Sequence, residues 1–373
     1  MPRPLPPAWV LRPVFAVRDG LTRLRDRLGP PELLVVERSL GVLDTAAVAT
    51  AAELGVAAQL GAGPSDAASV AAAVGADPDA LERLLRYLVA RGVFRRRRDG
   101  RFANNRESRL LDPSNPGSLA GWAQFWGSPW HLAIWGELRH AVRTGESAAT
   151  AAFGRPFWEQ LTEHDPAAGN LFATAMAEAS RLQVAALAAR RDFATCRDIC
   201  DVGGGTGTLL AGVLAAHPGA RGTLFDLPAV VAGAGPVLAA AGVTDRVAVL
   251  SGNFFSSVPE GRDRYLLQAI VHDWDDDSCV QILRNVGRAM SPGGRVLVVE
   301  QELPRHRGWH PAKAIDLEML VDTGAGRERT RAEFDSLFGR AGFRVAGRQT
   351  LPVCTVFELV ARDGPAGQGA DAP

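Results

Sequence analysis

One histidine and two glutamates have the residue types and the spacing needed to move a proton. His272 follows an apolar run at 264–271 that predicts a buried strand, and Glu300 ends the next such run. Glu328 precedes a predicted helix farther along the chain. Imidazole titrates near neutral pH, and a carboxylate beside it orients the ring and stabilises its charged form. We therefore predict His272 as a general base flanked by Glu300 and Glu328, although Glu328 could instead pair with the neighbouring arginines.

A glycine-rich turn lies upstream of these residues. Gly203, Gly205 and Gly207 follow an apolar run that contains Asp201, and an apolar helical pattern comes next. A strand, a tight turn and a helix in this order make room for a nucleotide at the edge of an α/β sheet. The dinucleotide fingerprint is not met, because Thr208 stands at its third glycine position. The turn favours a nucleoside without phosphates, such as S-adenosylmethionine, over NAD.

Two more strand ends carry polar or aromatic residues. Asp226 lies 19 positions after Gly207, where an acid can bind a ribose diol. It could instead cap the helix predicted from Pro228. Asn253 and Phe254 follow the third strand, where they could contact the edge and the face of an adenine, or simply form a turn with a core phenylalanine.

Composition limits the classes of partner. Acidic and basic residues number 41 each in 373 residues, so no global field draws the protein to nucleic acid or membrane. The four cysteines lack metal-ligand spacing, which predicts buried thiols in a reducing compartment and no metal. Asp275, Asp276 and Asp277 are interpreted as first-turn acids of a helix rather than metal ligands. We expect a soluble cytoplasmic protein.

The second half of the chain alternates strands and helices. Strands are predicted at 198–202, 221–225, 246–250, 264–271 and 295–300, and helices at 207–216, 228–240, 277–290 and 331–341. The runs 343–350 and 354–361 predict a closing antiparallel hairpin. This alternation predicts an α/β fold with a mostly parallel sheet covered by helices on both faces.

The first half is predicted to be helical. Residues 1–30 are interpreted as partly ordered arms, followed by a helix at 33–60 and two short helices at 66–74 and 77–90. A hairpin at 94–103 turns at Asp99-Gly100 and completes a winged-helix pattern. The basic run at 95–98 leaves a DNA-binding regulator open as an alternative. Residues 113–190 are predicted to be helical and contain five tryptophans.

Five short motifs follow one another in order: Asp201-Val-Gly-Gly-Gly-Thr-Gly, Phe225-Asp-Leu-Pro, Gly252-Asn-Phe-Phe, Val271-His-Asp-Trp and Arg327-Glu-Arg-Thr. Together they resemble the S-adenosylmethionine-dependent O-methyltransferases of the plant caffeic acid and bacterial aromatic polyketide type, over residues 35–361. The resemblance implies a homodimer with a winged-helix dimerisation domain at 1–112, a helical linker with substrate-pocket residues at 113–190, and a Rossmann-like catalytic domain at 191–363. A disordered tail is expected at 364–373.

The resemblance also assigns expected roles to single residues. It implies cofactor contacts at Gly203, Gly205, Asp226, Leu227, Asn253 and Gln268, and substrate contacts at Phe172, Met176 and Met319. Asn253 and Gln268 depart from the family pattern, since plant members have Asp and Lys there. His272 matches the catalytic base, with Glu300 and Glu328 as its acids.

The expected reaction is methyl transfer to a phenolic hydroxyl of an aromatic secondary metabolite. The tryptophans at 122–158 favour a flat acceptor such as a polyketide phenol or a naphthoate-like acid. N- or C-methylation stays open within the same fold. A winged-helix regulator and an NAD-dependent oxidoreductase are the alternatives from other classes.

Overall fold

The computed structural model describes Pro6, residues 8–190, Phe193 and residues 196–362. The tail expected to be disordered at 364–373 lies outside the described residues. The chain divides into two compact units. The first consists mainly of Arg12–Arg139 and Ala149–Leu182, and the second mainly of His140–Ala148 and the chain from Gln183 onward.

The first unit begins with helices. These are α1 (Ala8–Leu28), α2 (Pro31–Ser39), α3 (Gly41–Glu53), α4 (Val56–Gln59), α5 (Ala67–Val74) and α6 (Pro78–Ala90). Helix α1 replaces the partly ordered arm that the sequence predicted, because proline and arginine content hid its apolar residues at helical spacing. Asp66 and Asp77 cap α5 and α6 by accepting hydrogen bonds from Ser69 N and Ala80 N, at 2.8 and 2.9 Å.

The predicted hairpin is confirmed next to these helices. Strands β1 (Phe94–Arg96) and β2 (Phe102–Asn104) pair antiparallel. Phe94 and Phe102 are buried with leucines of α6, which share one face of that helix. The small sheet is thus attached to the helices by an apolar core.

Residues 113–190 are all described and are mostly helical, as predicted. They form α7 (Ala120–Gly127), α8 (Pro129–Gly136), α9 (Leu138–Thr144), α10 (Ala148–Phe153), α11 (Phe157–Glu159) and α12 (Pro166–Ala188). Phe125 and Phe172 lie in contact in an aromatic cluster, with ring centroids 5.7 Å apart. The cluster also contains Trp126, Trp130, His131, Phe157 and Trp158.

The second unit contains a seven-stranded sheet, ordered β5-β4-β3-β6-β7-β9-β8. Its strands are β3 (Asp198–Val202), β4 (Arg221–Asp226), β5 (Val247–Ser251), β6 (Arg262–Gln268), β7 (Met290–Glu300), β8 (Phe343–Thr350) and β9 (Thr355–Ala361). Strands β3 to β7 are parallel, and β9 pairs antiparallel with both β7 and β8. The predicted α/β architecture with a closing hairpin is confirmed.

Helices cover both faces of this sheet. They are α13 (Thr208–Ala216), α14 (Pro228–Val231), α15 (Ala234–Ala240), α16 (Asp276–Ala289) and α18 (Arg331–Arg340). A further helix, α17 (Pro311–Asp322), contributes no residue to the two apolar clusters on the sheet. Successive residues of a strand point to opposite faces, so Tyr265 joins one buried cluster and Leu266 the other. Two apolar layers therefore hold the strand ends in fixed positions.

Several details differ from the sequence prediction. The helix expected at 33–60 is divided into α2, α3 and α4, and the strand expected at 295–300 already begins at Met290 as β7. The helix expected at 228–240 is divided into α14 and α15 at Ala232 and Gly233. The strand expected at 264–271 already ends at Gln268, because Ala269 adopts a left-handed backbone with φ of 53°. Helix α17 was not predicted, since its charged residues obscure the apolar spacing, and two of those acids turn out to be buried.

The four cysteines are buried free thiols, as predicted. Among the described residues, none of the helices taken singly has both the length and the apolar composition of a membrane span. One pair, Pro31–Glu53 with Val56–Ala62, meets those two criteria together but is bent by 57°.

Candidate active site

The glycine turn after β3 is packed on one side and open on the other. Gly203, Gly205 and Gly207 have φ values of 68°, 61° and 83°, a conformation that favours glycine. A Cβ on Gly203 would lie 2.4 Å from Ile270 Cδ1, whereas a Cβ on Gly205 would meet no atom within 4 Å. The turn therefore leaves room for a ligand to approach the backbone at Gly205.

Asp226, at the end of β4, braces this turn. Its Oδ2 accepts a hydrogen bond from Gly205 N at 2.8 Å, and its Oδ1 accepts one from Leu227 N at 2.7 Å. Helix α14 has Leu227 at its N-cap without a side-chain cap, so Asp226 does not cap the helix. Burial raises the pKa of Asp226, while the two N–H donors act in the opposite direction. Each oxygen keeps a lone pair for a ligand hydroxyl.

Asp201 lies behind the same turn, one residue before the end of β3, and its role was not predicted from the sequence. It is almost fully buried, and its Oδ2 has no hydrogen-bond partner in the described part of the chain. Burial, followed by the charge of Asp226, raises the pKa of Asp201 to about 7. Two acids therefore lie at or beside the carboxyl ends of adjacent strands.

The remaining predicted cofactor residues lie on the next strand ends. Leu227 is 37% exposed directly after β4. Asn253 is exposed after β5, and its Oδ1 accepts a hydrogen bond from Phe255 N at 2.9 Å. Phe254 lies under the turn, where its ring would be 3.6 Å from a Cβ on Gly203. Gln268 is the last residue of β6.

These positions fit an adenosyl group. The carboxyl ends of the parallel strands β3 to β6 lie along one edge of the sheet, where open α/β sheets bind ligands. The carboxylate of Asp226 can accept hydrogen bonds from a ribose diol, and the apolar side chains can contact an adenine. The open space at Gly205 lies beside the carboxylate of Asp226, which accepts a hydrogen bond from Gly205 N.

The turn that carries His272 is held by Glu300. After Ala269, a single turn of 3-10 helix covers Val271–Asp273. Glu300 Oε1 accepts hydrogen bonds from Ile270 N and Val271 N at 3.0 and 2.7 Å. Glu300 Oε2 lies 3.9 Å from His272 Nδ1, so this acid acts on the histidine mainly through the backbone and through its charge.

Glu328 is the direct partner of His272. His272 Nδ1 lies 3.0 Å from Glu328 Oε1, and His272 Nε2 lies 3.4 Å from Asp273 Oδ1. Burial disfavours the imidazolium, but the charges of Glu300, Asp273 and Glu328 outweigh it and raise the pKa of His272 to about 10. Since Nδ1 is bound to Glu328, Nε2 is the atom left to accept a proton.

Asp273 belongs to this cluster although the sequence analysis assigned it no role. Burial raises its pKa to about 6, and burial raises the pKa of Glu300 to about 7. Adjacency to His272 was the only sequence signal for it. Three carboxyl groups thus surround one imidazole, and they compete for protons with it.

Arg329 was also missed. It is fully buried, and its guanidinium donates to Asp276 Oδ1 at 2.8 and 2.9 Å. It also donates to the carbonyl oxygens of Val271 and Trp274, both at 2.9 Å. Because Glu328 is the residue before it, Arg329 connects the loop of Glu328 to the turn of His272.

The predicted substrate residues belong to both units. Phe172 and Met176 lie on α12 in the first unit, where Phe172 contacts Phe157 and Trp158 in the aromatic cluster. Met319 is buried on α17 in the second unit. The second unit by itself contains His272, both its glutamates and all the predicted cofactor residues.

Comparisons with known proteins agree with this geometry. Residues 135–344 match the O-methyltransferase domain model, and residues 36–114 match the O-methyltransferase dimerisation domain model. The chain is 41% identical to a mitomycin biosynthesis 6-O-methyltransferase from Streptomyces lavendulae, over 84% of this chain and 88% of that protein. It is 37% identical to a 3-amino-4-hydroxybenzoate 4-O-methyltransferase from Streptomyces cremeus, over 86% and 87% of the two chains.

A solved structure supports the same assignment. An O-methyltransferase from neocarzinostatin biosynthesis, in complex with S-adenosylmethionine and 2-hydroxy-5-methyl naphthoic acid, superposes with a TM-score of 0.72 at 35% identity. The match covers 86% of this chain and 96% of that one. The chain therefore belongs to the S-adenosylmethionine-dependent O-methyltransferases.

Proposed function

We propose that the protein methylates a phenolic hydroxyl of an aromatic secondary metabolite, with His272 as general base. The observation that carries this proposal is the pairing of His272 Nδ1 with Glu328 at 3.0 Å, which leaves Nε2 to accept a proton. The names of the relatives support the substrate class, since they refer to mitomycin biosynthesis and to a hydroxybenzoate.

The strand ends of the second unit would hold the cofactor. Asp226 would accept hydrogen bonds from the ribose diol, and Leu227 and Phe254 would contact the adenine. Asn253 and Gln268 would lie beside it, and Gly203 and Gly205 would let the methionine part approach the backbone. S-adenosylmethionine supplies an electrophilic methyl carbon on a sulfonium. The protein's own tasks are alignment of the acceptor oxygen and removal of its proton.

The carboxylates around His272 adjust its basicity to this task. A phenol titrates near 10 and an ordinary histidine near 6.5, so complete proton transfer would cost about 5 kcal/mol. The pKa of His272, raised to about 10, removes that mismatch. The consequence is that the neutral, proton-accepting form of His272 is a minority at neutral pH.

The rate should therefore increase with pH. We expect kcat/KM to rise from neutral pH toward the pKa of His272, which is about 10. Glu328→Gln removes one charge that favours the imidazolium, so the rising limb should move about one to three units lower. The plateau should also fall, because the histidine becomes a weaker base. A kcat/KM profile over roughly pH 6 to 10.5 measures both effects.

Glu260→Gln is the matched control for this profile, since Glu260 is exposed. The rising limb of its kcat/KM profile should lie at the same pH as that of wild type. If Glu328→Gln gave the same limb as wild type, Glu328 would not set the basicity of His272.

Cofactor affinity should depend on Asp226. Asp226→Asn places an amide N–H₂ against the N–H of Gly205 or Leu227 and removes the charged acceptor. We expect the dissociation constant for S-adenosylmethionine to rise about 10- to 100-fold, as loss of a charged hydrogen bond implies. Titration calorimetry measures it, with Asp245→Asn at an exposed position as control. Unchanged affinity would contradict the ribose role.

The proposed reaction is tested with labelled methyl donor. The enzyme is incubated with a panel of hydroxylated aromatic acids, and products are identified by mass spectrometry. O-methylated products support the proposal. Label found only on nitrogen or carbon would assign the alternative methyltransferase activity, and selective binding of NAD would contradict the cofactor assignment.

Homodimer formation through a dimerisation domain at 1–112 belongs to the same proposal, with a helical region at 113–190 and a catalytic domain at 191–363. It is supported by the dimerisation-domain match and by large apolar side chains exposed along α1 to α3, namely Val14, Leu21, Leu24, Leu33, Val35, Val36 and Val42.

The buried free cysteines support the cytoplasm as the location of the protein. Arg96 and Arg97, on the β1–β2 hairpin, form ion pairs with Glu82 and Asp99. Because acidic side chains already neutralise these arginines, they argue against a nucleic-acid partner.

Phe172, Met176 and Met319 remain proposed acceptor contacts. Phe172 lies in an aromatic cluster, which suits a flat ring. Met319 lies in the last turn of α17, a helix that also carries Asp316, the acceptor for Glu328 N at 2.9 Å. Helix α17 is therefore hydrogen-bonded directly to the loop of Glu328, which is the partner of the proposed general base His272.

A further inference from the structure

Asn253, in the turn after β5, has its amide orientation fixed by the backbone. Its Oδ1 accepts a hydrogen bond from Phe255 N at 2.9 Å, which closes a turn between the side chain and the backbone two residues on. The amide nitrogen cannot take this position, because it carries two hydrogens and accepts no hydrogen bond. The free end of the side chain is therefore Nδ2, which can only donate.

The turn is itself anchored at several points. The carbonyl oxygen of Asn253 accepts a hydrogen bond from Ser256 N at 2.9 Å. Helix α16 contributes Asn285, whose Nδ2 donates to the carbonyl oxygens of Phe254 and Phe255 at 2.8 and 2.9 Å. Asn253 is exposed, and its Nδ2 has no hydrogen-bond partner among the residues that the structure describes. An anchored turn thus presents a group that only donates hydrogen bonds.

The topology of the sheet places this group at the base end of a bound nucleoside. The strand order β5-β4-β3 puts Asp226, at the end of β4, between the glycine turn after β3 and the turn of Asn253. Asp226 pairs with Ser251 of β5, and Gly252 N donates to the carbonyl oxygen of Asp226 at 3.0 Å. In S-adenosylmethionine the sulfur and the base are attached at opposite ends of the ribose. With the methionine part at the glycine turn and the ribose at Asp226, the base extends toward Asn253.

We propose that Asn253 binds a ring nitrogen of the base and not its 6-amino group, so that the cofactor site accepts 6-oxopurine analogues of S-adenosylmethionine. This inference rests on the proposed function, through its cofactor contacts. Adenine has acceptor nitrogens in its ring and a donor amine at C6, whereas hypoxanthine has an acceptor oxygen at C6. An N–H₂ group donates to the ring nitrogens of either base and also to that oxygen.

An acid at position 253 would act in the opposite way. A carboxylate accepts a hydrogen bond from the amine of adenine and is repelled by the oxygen of hypoxanthine. Gln268, the other amide proposed beside the base, can turn either its oxygen or its N–H₂ group toward the ligand. Gln268 therefore does not impose a requirement for the amine, and Asn253 determines which purines are bound.

The test measures binding of two ligands that differ only in the base. S-adenosylhomocysteine and S-inosylhomocysteine are titrated separately into the protein by calorimetry, with no methyl acceptor present. We expect wild type to bind the two with dissociation constants within about threefold of each other. Asn253→Asp keeps an oxygen for Phe255 N, so the turn is preserved. In this variant S-adenosylhomocysteine should bind about tenfold or more tightly than S-inosylhomocysteine.

Two further variants separate recognition of the base from other effects. Asn115→Asp is the matched control, since Asn115 Oδ1 closes the same kind of turn in the first unit by accepting from Gly117 N at 2.8 Å. Its ratio of the two dissociation constants should equal that of wild type. Asp226→Asn, at the ribose, should weaken both ligands by the same factor and leave the ratio unchanged.

Two results would overturn the inference. The first is a wild-type preference for S-adenosylhomocysteine of about tenfold or more, which would show that the 6-amino group is recognised. The second is a wild-type ratio in Asn253→Asp. A purely structural role of Asn253 would give that second result, because a loosened turn weakens both ligands together.

The two proposals fail in different ways, because the calorimetric test needs no methyl transfer. If wild type binds both ligands alike but transfers no methyl to oxygen, the proposed function fails and this inference stands. If wild type methylates oxygen from S-adenosylmethionine but strongly disfavours S-inosylhomocysteine, the proposed function stands and this inference fails.

Discussion

His272→Gln is expected to lower kcat by about 100- to 10,000-fold, the usual contribution of a positioned general base. Glutamine keeps a similar reach and a hydrogen-bonding group near Glu328, but it cannot accept the phenolic proton. Apart from Gln268, the cofactor residues lie on other strand ends, so affinity for S-adenosylmethionine should stay within about threefold of wild type. Single-turnover kinetics measure the methyl-transfer step, and calorimetry measures the cofactor.

The pH profile makes this prediction more specific. In His272→Gln, the rising limb assigned to the histidine should disappear, and the residual rate should follow only ionisation of the acceptor. His164→Gln serves as control, because His164 is largely exposed and pairs with Glu159. Turnover near the wild-type value in His272→Gln would show that another group removes the proton, with Asp273 as the nearest alternative.

Residues at strand ends could be predicted from the sequence. Each strand is a short apolar run, and a polar residue directly after it must lie at the edge of a parallel sheet. This reasoning predicts Asp226, Asn253 and His272 at one edge of the sheet. The pleat and two apolar layers then fix these positions to within a residue, except at Ala269, whose left-handed backbone ends β6 early.

The different contacts of Glu300 and Glu328 could not be predicted from the sequence. Both were expected to flank His272, but Glu300 binds the backbone of the preceding turn while Glu328 contacts the ring. That difference depends on the path of the backbone between Gln268 and His272, which residue types do not specify. The buried acids of α17 were missed for a related reason, because acids usually indicate a solvent-exposed helix face.

Arg329 could not be distinguished from the many other arginines in the sequence. Its role follows from burial and from the four carbonyl and carboxylate contacts that surround it, and these depend on tertiary structure. A guanidinium has five N–H donors, which suits it to joining separate loops. The active-site geometry therefore relies on a residue outside the proton-transfer cluster.

Arg329→Met should have the second-largest effect of the variants considered. Methionine fills much of the volume but removes the guanidinium from Asp276, which keeps Arg340 at 3.4 Å. It also removes the guanidinium from the carbonyl oxygens of Val271 and Trp274, which keep the weaker thiol donor of Cys279. Asp276 is 42% exposed, so the ion pair itself contributes little, and the main cost is the weakened hydrogen bonding of the two carbonyl oxygens. At about 1–3 kcal/mol for each such group, we expect a fall in Tm of roughly 5–15 °C. Because the turn of His272 loosens, kcat should also fall about tenfold or more at a temperature where the variant is folded.

Arg329→Lys keeps the charge and one or two of the hydrogen bonds, so it should recover part of both losses. Arg331→Met, at an exposed neighbouring position, should change neither Tm nor kcat. A role in positioning predicts that cofactor affinity is retained while the pH limb of His272 shifts, since the distance to Glu328 changes. If Tm fell but kcat and the pH profile of the folded variant matched wild type, Arg329 would stabilise the fold without orienting the base.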